Sequence, residues 1–256
     1  MSTAYEECLV PVVFGPYAED LAARVAAHRP GRVLELAAGT GAVTAALSLA
    51  LPDTVITATD LNDAMVAVGS RNVRGATWQQ ADAMSLPFDD DSFDLVACQF
   101  GVMFFPDRRE AYAEVRRVLA DDGHFLFNAW GRLEDHEFES AVTAVLAELF
   151  PDDPPTFLRS VPHGYADPDR ITADLAAAGL EADLVELVEL EGTAASAEQL
   201  ARGYCRGTPL RAQIESRGDL DATFAAVAER LAAQFGDGAV TGRMTAHVVD
   251  AHPTRA

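Results

Sequence analysis

Short apolar strands that alternate with helical stretches constrain this chain more than any other feature. Arg32 to Leu36 reads as a strand running into the turn Ala37-Ala38-Gly39-Thr40-Gly41, and an alanine- and leucine-rich helix follows to about Leu51. Thr54 to Thr59 is a β-branched strand ending at Asp60, Ala64 to Arg71 a helix, and Thr77 to Gln80 a third strand that stops just before Asp82. Phe93 to Gln99 is a fourth strand and Arg108 to Leu119 a helix. Past the turn Asp121-Asp122-Gly123, His124 to Ala129 is a fifth strand. Strands separated by helices pair in parallel, with helices on both faces of the sheet and right-handed crossovers. In such doubly wound α/β sheets ligands gather outside the carboxyl ends of the strands, where strand order reverses. The glycine turn and Asp60 are therefore expected to face one crevice.

The flanking segments complete the outline. Ala18 to His28 has apolar residues at helical spacing. Asp152-Asp153-Pro154-Pro155 marks a loop, Pro168 to Gly179 a helix closed by glycine, and Glu181 to Glu191 a strand. Residues 194–236 read as helical, and Arg243 to Asp250 as a last strand. The expected organisation is one domain over residues 1–256, with an N-terminal helical cover (1–29), a ligand-binding core (30–130) and a helical cap (192–240). That insertion is too long for a simple connection between strands.

Composition narrows the setting. No run of 18 apolar residues exists, so no transmembrane helix is expected, and MSTAYEECLV lacks the pattern of a secretory signal. Cys8, Cys98 and Cys205 lie far apart and form no CxxC, which points to a reducing cytoplasm. The net charge of −21 disfavours nucleic acid and anionic membranes as partners. All basic residues except histidine are arginine. Without lysine there is no Schiff-base lysine, no P-loop lysine and no Tyr/Lys dehydrogenase pair.

Three places carry chemistry. The small residues Ala37, Ala38 and Gly39 let backbone approach a ligand. Asp60 ends the second strand roughly 20 residues later, where a carboxylate accepts hydrogen bonds from ribose hydroxyls. Asp82 follows the third strand, where its carboxylate can accept from an adenine amino group while the N–H of Ala83 donates to the ring.

Together these residues resemble class I S-adenosylmethionine (SAM)-dependent methyltransferases. The resemblance rests on Glu35-Leu36-Ala37-Ala38-Gly39-Thr40-Gly41, Asp60-Leu61-Asn62-Asp63-Ala64-Met65, Gln80-Ala81-Asp82-Ala83 and Leu86-Pro87-Phe88-Asp89-Asp90-Asp91-Ser92-Phe93-Asp94. Phe104-Phe105-Pro106-Asp107-Arg108, Glu114-Val115-Arg116-Arg117-Val118-Leu119 and Asp122-Gly123 extend it across residues 30–130. It implies a seven-stranded, mostly parallel sheet with the last strand antiparallel, SAM as cofactor, and methyl transfer to a small organic acceptor through an O-, N- or C-nucleophile. It also implies roles: Glu35 and the backbone of Ala37, Ala38 and Gly39 at the methionine moiety, Asp60 at the ribose, and Leu61 and Met65 against adenine or ribose. Asp82 and Ala83 would read the adenine edge, Gln99 and Phe100 would border the sulfonium, and Tyr5, Phe14 and Tyr17 would close over the cofactor. One departure is Ala37, where the family has its first motif glycine; the added methyl is expected to tune binding rather than abolish it.

In-line transfer from a sulfonium needs alignment and exclusion of water. An acceptor that must lose a proton also needs a base. His163 and Tyr165 are the candidate bases, with His136 behind them; His124 begins its strand away from the crevice and is set aside. Trp130, Tyr204 and Arg211 are candidate substrate contacts. A metal-dependent subtype would want Asp or Asn ligands clustered at the ends of strands four and five. Those ends read Cys98-Gln99 and Asn128-Ala129-Trp130, so no metal is expected. The expected partner is a small molecule, and the expected assembly a monomer or homodimer. Two rival readings remain: an NAD-dependent oxidoreductase, from the loose fingerprint Ala37-x-Gly39-x-x-Ala42, and a SAM-binding protein without turnover.

Overall fold

Why the chain turns where it does is visible in its caps and breakers. The computed structural model describes residues 2–254. It opens with α1 (Ser2–Cys8), a π-helical turn at Val10–Phe14, and α2 (Gly15–His28). The alternating core follows: β1 (Arg32–Glu35), α3 (Ala42–Ala50), β2 (Val55–Asp60), α4 (Asp63–Asn72), β3 (Thr77–Gln80), β4 (Phe93–Gln99), α5 (Arg108–Val118) and β5 (Leu119–Trp130). Then come α6 (Glu137–Leu149), α7 (Phe157–Ser160), α8 (Pro168–Ala177), β6 (Leu180–Ala194), α9 (Ala197–Gly207), α10 (Leu210–Glu215), α11 (Leu220–Phe235) and β7 (Val240–Pro253). The side chains of Asn62, Asp107, Asp167, Ser196 and Asp219 each accept a backbone N–H in the first turn of the helix that follows. They satisfy donors that a helix start otherwise leaves unpaired.

The seven strands form one sheet in the order β3-β2-β1-β4-β5-β7-β6. The first five pair in parallel and β7 runs antiparallel to β5, as the sequence leads one to expect. Strand order reverses between β1 and β4, so their carboxyl ends flank the switch point. The expected turn at Asp121–Gly123 is absorbed as an irregularity in β5: Phe93 pairs with Leu119, but Leu95 already pairs with His124.

The chain divides into two compact units. The larger comprises Tyr17–Trp130, Tyr165–Val188 and Ala246–Ala256. Its core joins the α2 stripe Ala18, Leu21, Ala22 and Val25 to Val33, Leu95, Ala97 and Leu126 of the strands and Val43 and Leu47 of α3. The smaller comprises Met1–Pro16, Gly131–Gly164 and Glu189–Thr245. It therefore unites the cap with the N-terminus and with α6, segments that the sequence alone leaves separate. On α6, Phe138, Ala141, Val142, Val145 and Leu146 are buried, a helical repeat. On α9, a Cβ at Gly203 would stand 2.7 Å from Leu9 Cδ2, and one at Gly207 would stand 2.8 Å from the Tyr5 nitrogen. These two glycines let α1 pack against α9.

Candidate cofactor site at the carboxyl ends of the strands

In the larger unit, β1 ends at Glu35, β2 at Asp60, β3 at Gln80, β4 at Gln99 and β5 at Trp130. Parallel register brings these ends to one edge: Glu35 is level with Ala58 and Ala97, Asp60 with Gln80, and Gln99 with Asn128.

The turn after β1 is built from left-handed backbone. Ala37 has φ +51°, Gly39 +56° and Gly41 +96°. Ala38 N–H donates to Thr59 O at 2.9 Å, and Gly39 N–H donates to Asp60 Oδ2 at 2.9 Å. Beside Gly39 the space that a Cβ would enter is open, with no heavy atom within 4 Å. An open cradle of backbone next to a strand-end carboxylate is what a nucleotide-type ligand requires. Ala37 is tolerated because Gly101 lies against it: a Cβ on Gly101 would stand 2.5 Å from the Ala37 methyl. No local pattern in the sequence announces that pairing.

Asp60 is half-buried and accepts two backbone N–H groups, from Gly39 and from Asn62 at 2.8 Å. Two oxygens offer about four acceptor positions, so capacity remains for hydroxyl donors. Leu61 is exposed and Met65 half-buried, apolar surface beside that carboxylate in sequence. Asp82 turns its own loop, accepting Met84 N–H at 2.9 Å, and bridges to Ser85, which places Ala83 at the tip.

Glu35 is buried, with Thr44 donating to Oε2 at 2.6 Å. Burial pushes its carboxyl up to about 8, against the hydrogen bonds from Thr44. A cation beside it would favour the charged form. Thr44, which the sequence reading did not single out, is the side chain that bonds Glu35; its signal is a hydroxyl in the first turn of α3, a helix otherwise rich in alanine and leucine.

Past β4 the chain makes a second strained turn. Phe100 has φ +51°, unusual for a bulky residue. Asn128 holds it there, accepting Phe100 N–H through both its side-chain oxygen at 3.0 Å and its backbone oxygen at 3.1 Å. Phe100 stacks on Trp130 with centroids 3.4 Å apart, and Tyr17 meets both rings edge-on at 5.4 and 5.3 Å. Tyr17 is fully buried and its hydroxyl donates to Val188 O at 3.1 Å. Gln99, half-buried, precedes this wall.

The remaining candidates make contacts within their own units. Tyr5 and Phe14 pack on each other at 5.1 Å in the smaller unit. Tyr165, in the larger unit, is wholly buried; Tyr112 donates to its hydroxyl at 3.4 Å, and it donates to Asp174 at 2.9 Å. Burial raises its phenol further above the ordinary value, which opposes a role as proton acceptor. His163, in the smaller unit, contacts Gly131 O through Nδ1 at 2.8 Å, and burial pushes it down to about 4, a weak base. Tyr204 is buried and donates to Glu139 at 2.7 Å, while exposed Arg211 pairs with Glu215 at 2.8 Å. These bonds give Tyr204 and Arg211 structural work within their own unit. His124 pairs with Asp250 at 2.8 Å, level with Leu95 and away from the strand ends.

All three cysteines are buried and free, and no helix among the described residues is long and apolar enough to cross a membrane.

Comparison with known proteins matches this architecture. The family described as "Methyltransferase domain" matches residues 34–127. The malonyl-[acyl-carrier protein] O-methyltransferase of Geobacter sulfurreducens is 35% identical over 154 residues, covering 59% of this chain and 55% of that protein. A ubiquinone/menaquinone biosynthesis C-methyltransferase of Shewanella halifaxensis is 39% identical over 109 residues, 40% of this chain and 43% of that one. The chain thus spans about half the length of the curated relatives it matches. The crystal structure of the YcgJ protein from Bacillus subtilis shares the fold, with a TM-score of 0.61 at 23% identity, covering 94% of this chain and 100% of that one.

Proposed function

We propose that this chain, whose residues 34–127 match the family described as "Methyltransferase domain", is a class I SAM-dependent methyltransferase that transfers a methyl group to a small organic acceptor. The observation that carries this reading is the open backbone cradle at Gly39 bonded to the carboxylate of Asp60 at the β1/β4 switch point. When bound, SAM supplies a methyl group on a sulfonium that is already a good leaving group. Asp60 anchors the ribose hydroxyls, and the backbone from Ala37 to Gly39, backed by Glu35, receives the methionine end. Leu61 and Met65 cover the base, and Asp82 with the Ala83 N–H reads its edge. Gln99 and the Phe100–Trp130 stack, with Tyr17 behind it, line the reacting end and exclude water.

The acceptor remains an O-, N- or C-nucleophile, since one relative is named as an O- and another as a C-methyltransferase. The charge of −21 supports a neutral or cationic molecule. Alignment, rather than a strong base, is the contribution the chain's residues support: Tyr165 is held protonated and His163 is weakly basic. At the crevice the paired ends of β4 and β5 carry the amides Gln99 and Asn128, of which only Asn128 is of the ligand type a metal-dependent enzyme would cluster there.

The test is turnover by the full chain. Incubated with SAM and a metabolite extract, it should bind SAM calorimetrically, release S-adenosylhomocysteine and yield a product heavier by one methyl. Binding without S-adenosylhomocysteine would favour a non-catalytic binder. Heat with NAD and none with SAM would favour an oxidoreductase.

A further inference from the structure

A buried polar cluster lies in the smaller unit, and none of its members is among the residues proposed to hold the cofactor. His136 and Glu139 lie at the start of α6 and His163 just after α7; their exposures are 0%, 4% and 8%. One ligand-type atom from each lies within 4.8 Å of the other two. His136 Nδ1 and Glu139 Oε2 are 3.7 Å apart, and the two imidazole rings meet edge to face with centroids 4.4 Å apart.

The outward atoms of all three are held by a second layer. His163 Nδ1 contacts Gly131 O at 2.8 Å, which assigns the proton to Nδ1 and leaves the lone pair on Nε2. His136 Nε2 is enclosed by Thr245, whose carbonyl oxygen lies 2.8 Å away, whose N–H points at it from 3.2 Å and whose hydroxyl lies at 3.3 Å, so Nδ1 is the ring nitrogen turned toward Glu139. Tyr204 donates to Glu139 Oε1 at 2.7 Å, while Oε2, buried, has no hydrogen-bond partner among the described residues. Metal-ligating histidines characteristically give their other N–H to a backbone carbonyl, and ligating carboxylates are themselves hydrogen-bonded. His163, through the Gly131 carbonyl, and Glu139, through the Tyr204 hydroxyl, meet these conditions.

We propose that His136 Nδ1, Glu139 Oε2 and His163 Nε2 form a three-ligand site for a divalent transition-metal ion, zinc being the ion that two imidazoles and a carboxylate suit best. Around a tetrahedral zinc with bonds of about 2.0–2.1 Å, ligand atoms stand about 3.4 Å apart. The His136–Glu139 separation of 3.7 Å is near that value, and the other separations do not exceed 4.8 Å. Two imidazoles and one carboxylate leave a fourth position for water or another small ligand. The expectation of no metal rested on the ends of β4 and β5 and did not weigh this cluster, whose residues come from three separate helical segments once Tyr204 of α9 is included.

The test uses the full chain, stripped by chelator dialysis and titrated with zinc by calorimetry and with cobalt(II) in the visible spectrum. One equivalent of zinc per chain and cobalt d–d bands of tetrahedral intensity are expected. Glu139→Gln and His163→Ala should each weaken zinc at least tenfold, and Tyr204→Phe, which keeps all ligands, should weaken it less. A second group, His28, His124 and Asp250, also has metal-like spacing in the larger unit. Asp250→Asn should therefore leave the stoichiometry unchanged. Wild type taking up no stoichiometric zinc would overturn the proposal, as would uptake abolished by Asp250→Asn; both outcomes hold even where a ligand variant fails to fold.

Discussion

Asp60 and Glu139 are both carboxylates in polar sites, and they are held in opposite ways. Asp60 stands half-buried at a strand end, and the donors it accepts are backbone N–H groups of the two adjoining turns. Glu139 is 4% exposed in the first turn of α6, and its neighbours are side chains from other segments, His163 and Tyr204, besides His136 one turn back. Backbone and water can serve the first. Only side chains serve the second, and the low dielectric raises both the strength of each bond and the cost of losing one. The difference teaches where a substitution will be felt: at Asp60 in ligand affinity, at Glu139 in the stability of its unit. Glu35 lies between the two, buried like Glu139 but placed at a strand end like Asp60.

Glu35 should give the largest effect. Its folded value of about 8 lies above the ordinary 4.5, so between those values the folded state binds more protons than the unfolded. The stabilisation is full below about 4.5 and is lost as pH rises through about 8. Urea midpoints of the wild type should fall across this window, and those of Glu35→Gln should stay flat. Equal slopes would remove Glu35 as the cause.

Tyr204→Phe comes next. It strips the donor from a buried carboxylate and should lower unfolding free energy by about 1.5–3 kcal/mol in denaturant melts, the worth of a hydrogen bond to a charged group. A change under about 0.5 kcal/mol would mean that Glu139 finds another partner.

Asp60→Ala should weaken SAM about tenfold or more, roughly 1.4 kcal/mol, while stability changes little. Unchanged affinity by calorimetry would break the contrast between the two carboxylates. The smallest effect is expected at Ala37. Its left-handed backbone costs about 1–2 kcal/mol, and glycine returns about 0.5–1 kcal/mol of that in added chain entropy. Ala37→Gly should therefore stabilise by about 0.5–1 kcal/mol and leave SAM binding near its wild-type value; a destabilised variant would show that the contact between the Ala37 methyl and Gly101 outweighs the strain.

What the sequence by itself determined is the part governed by near neighbours. Strand lengths follow from the apolar runs that end at Glu35, Asp60, Gln80 and Gln99, and the turns after them follow from small residues and caps such as Asn62. A parallel sheet then fixes which ends share an edge, so the placement of Glu35, Asp60 and Asp82 was legible before any coordinate. The α6 helix was not read from the sequence, although Phe138, Ala141, Val142, Val145 and Leu146 fall at helical spacing. Tertiary structure alone decided the rest. Tyr204 reaches Glu139 across 65 residues, and His136 reaches the Thr245 carbonyl across 109. Gly101 makes room for Ala37, and Asn128 holds Phe100 in its strained turn across 28 residues. No local spacing encodes such meetings. They depend on which helix faces are buried together, and burial is what makes an unpaired polar group costly enough to require a partner.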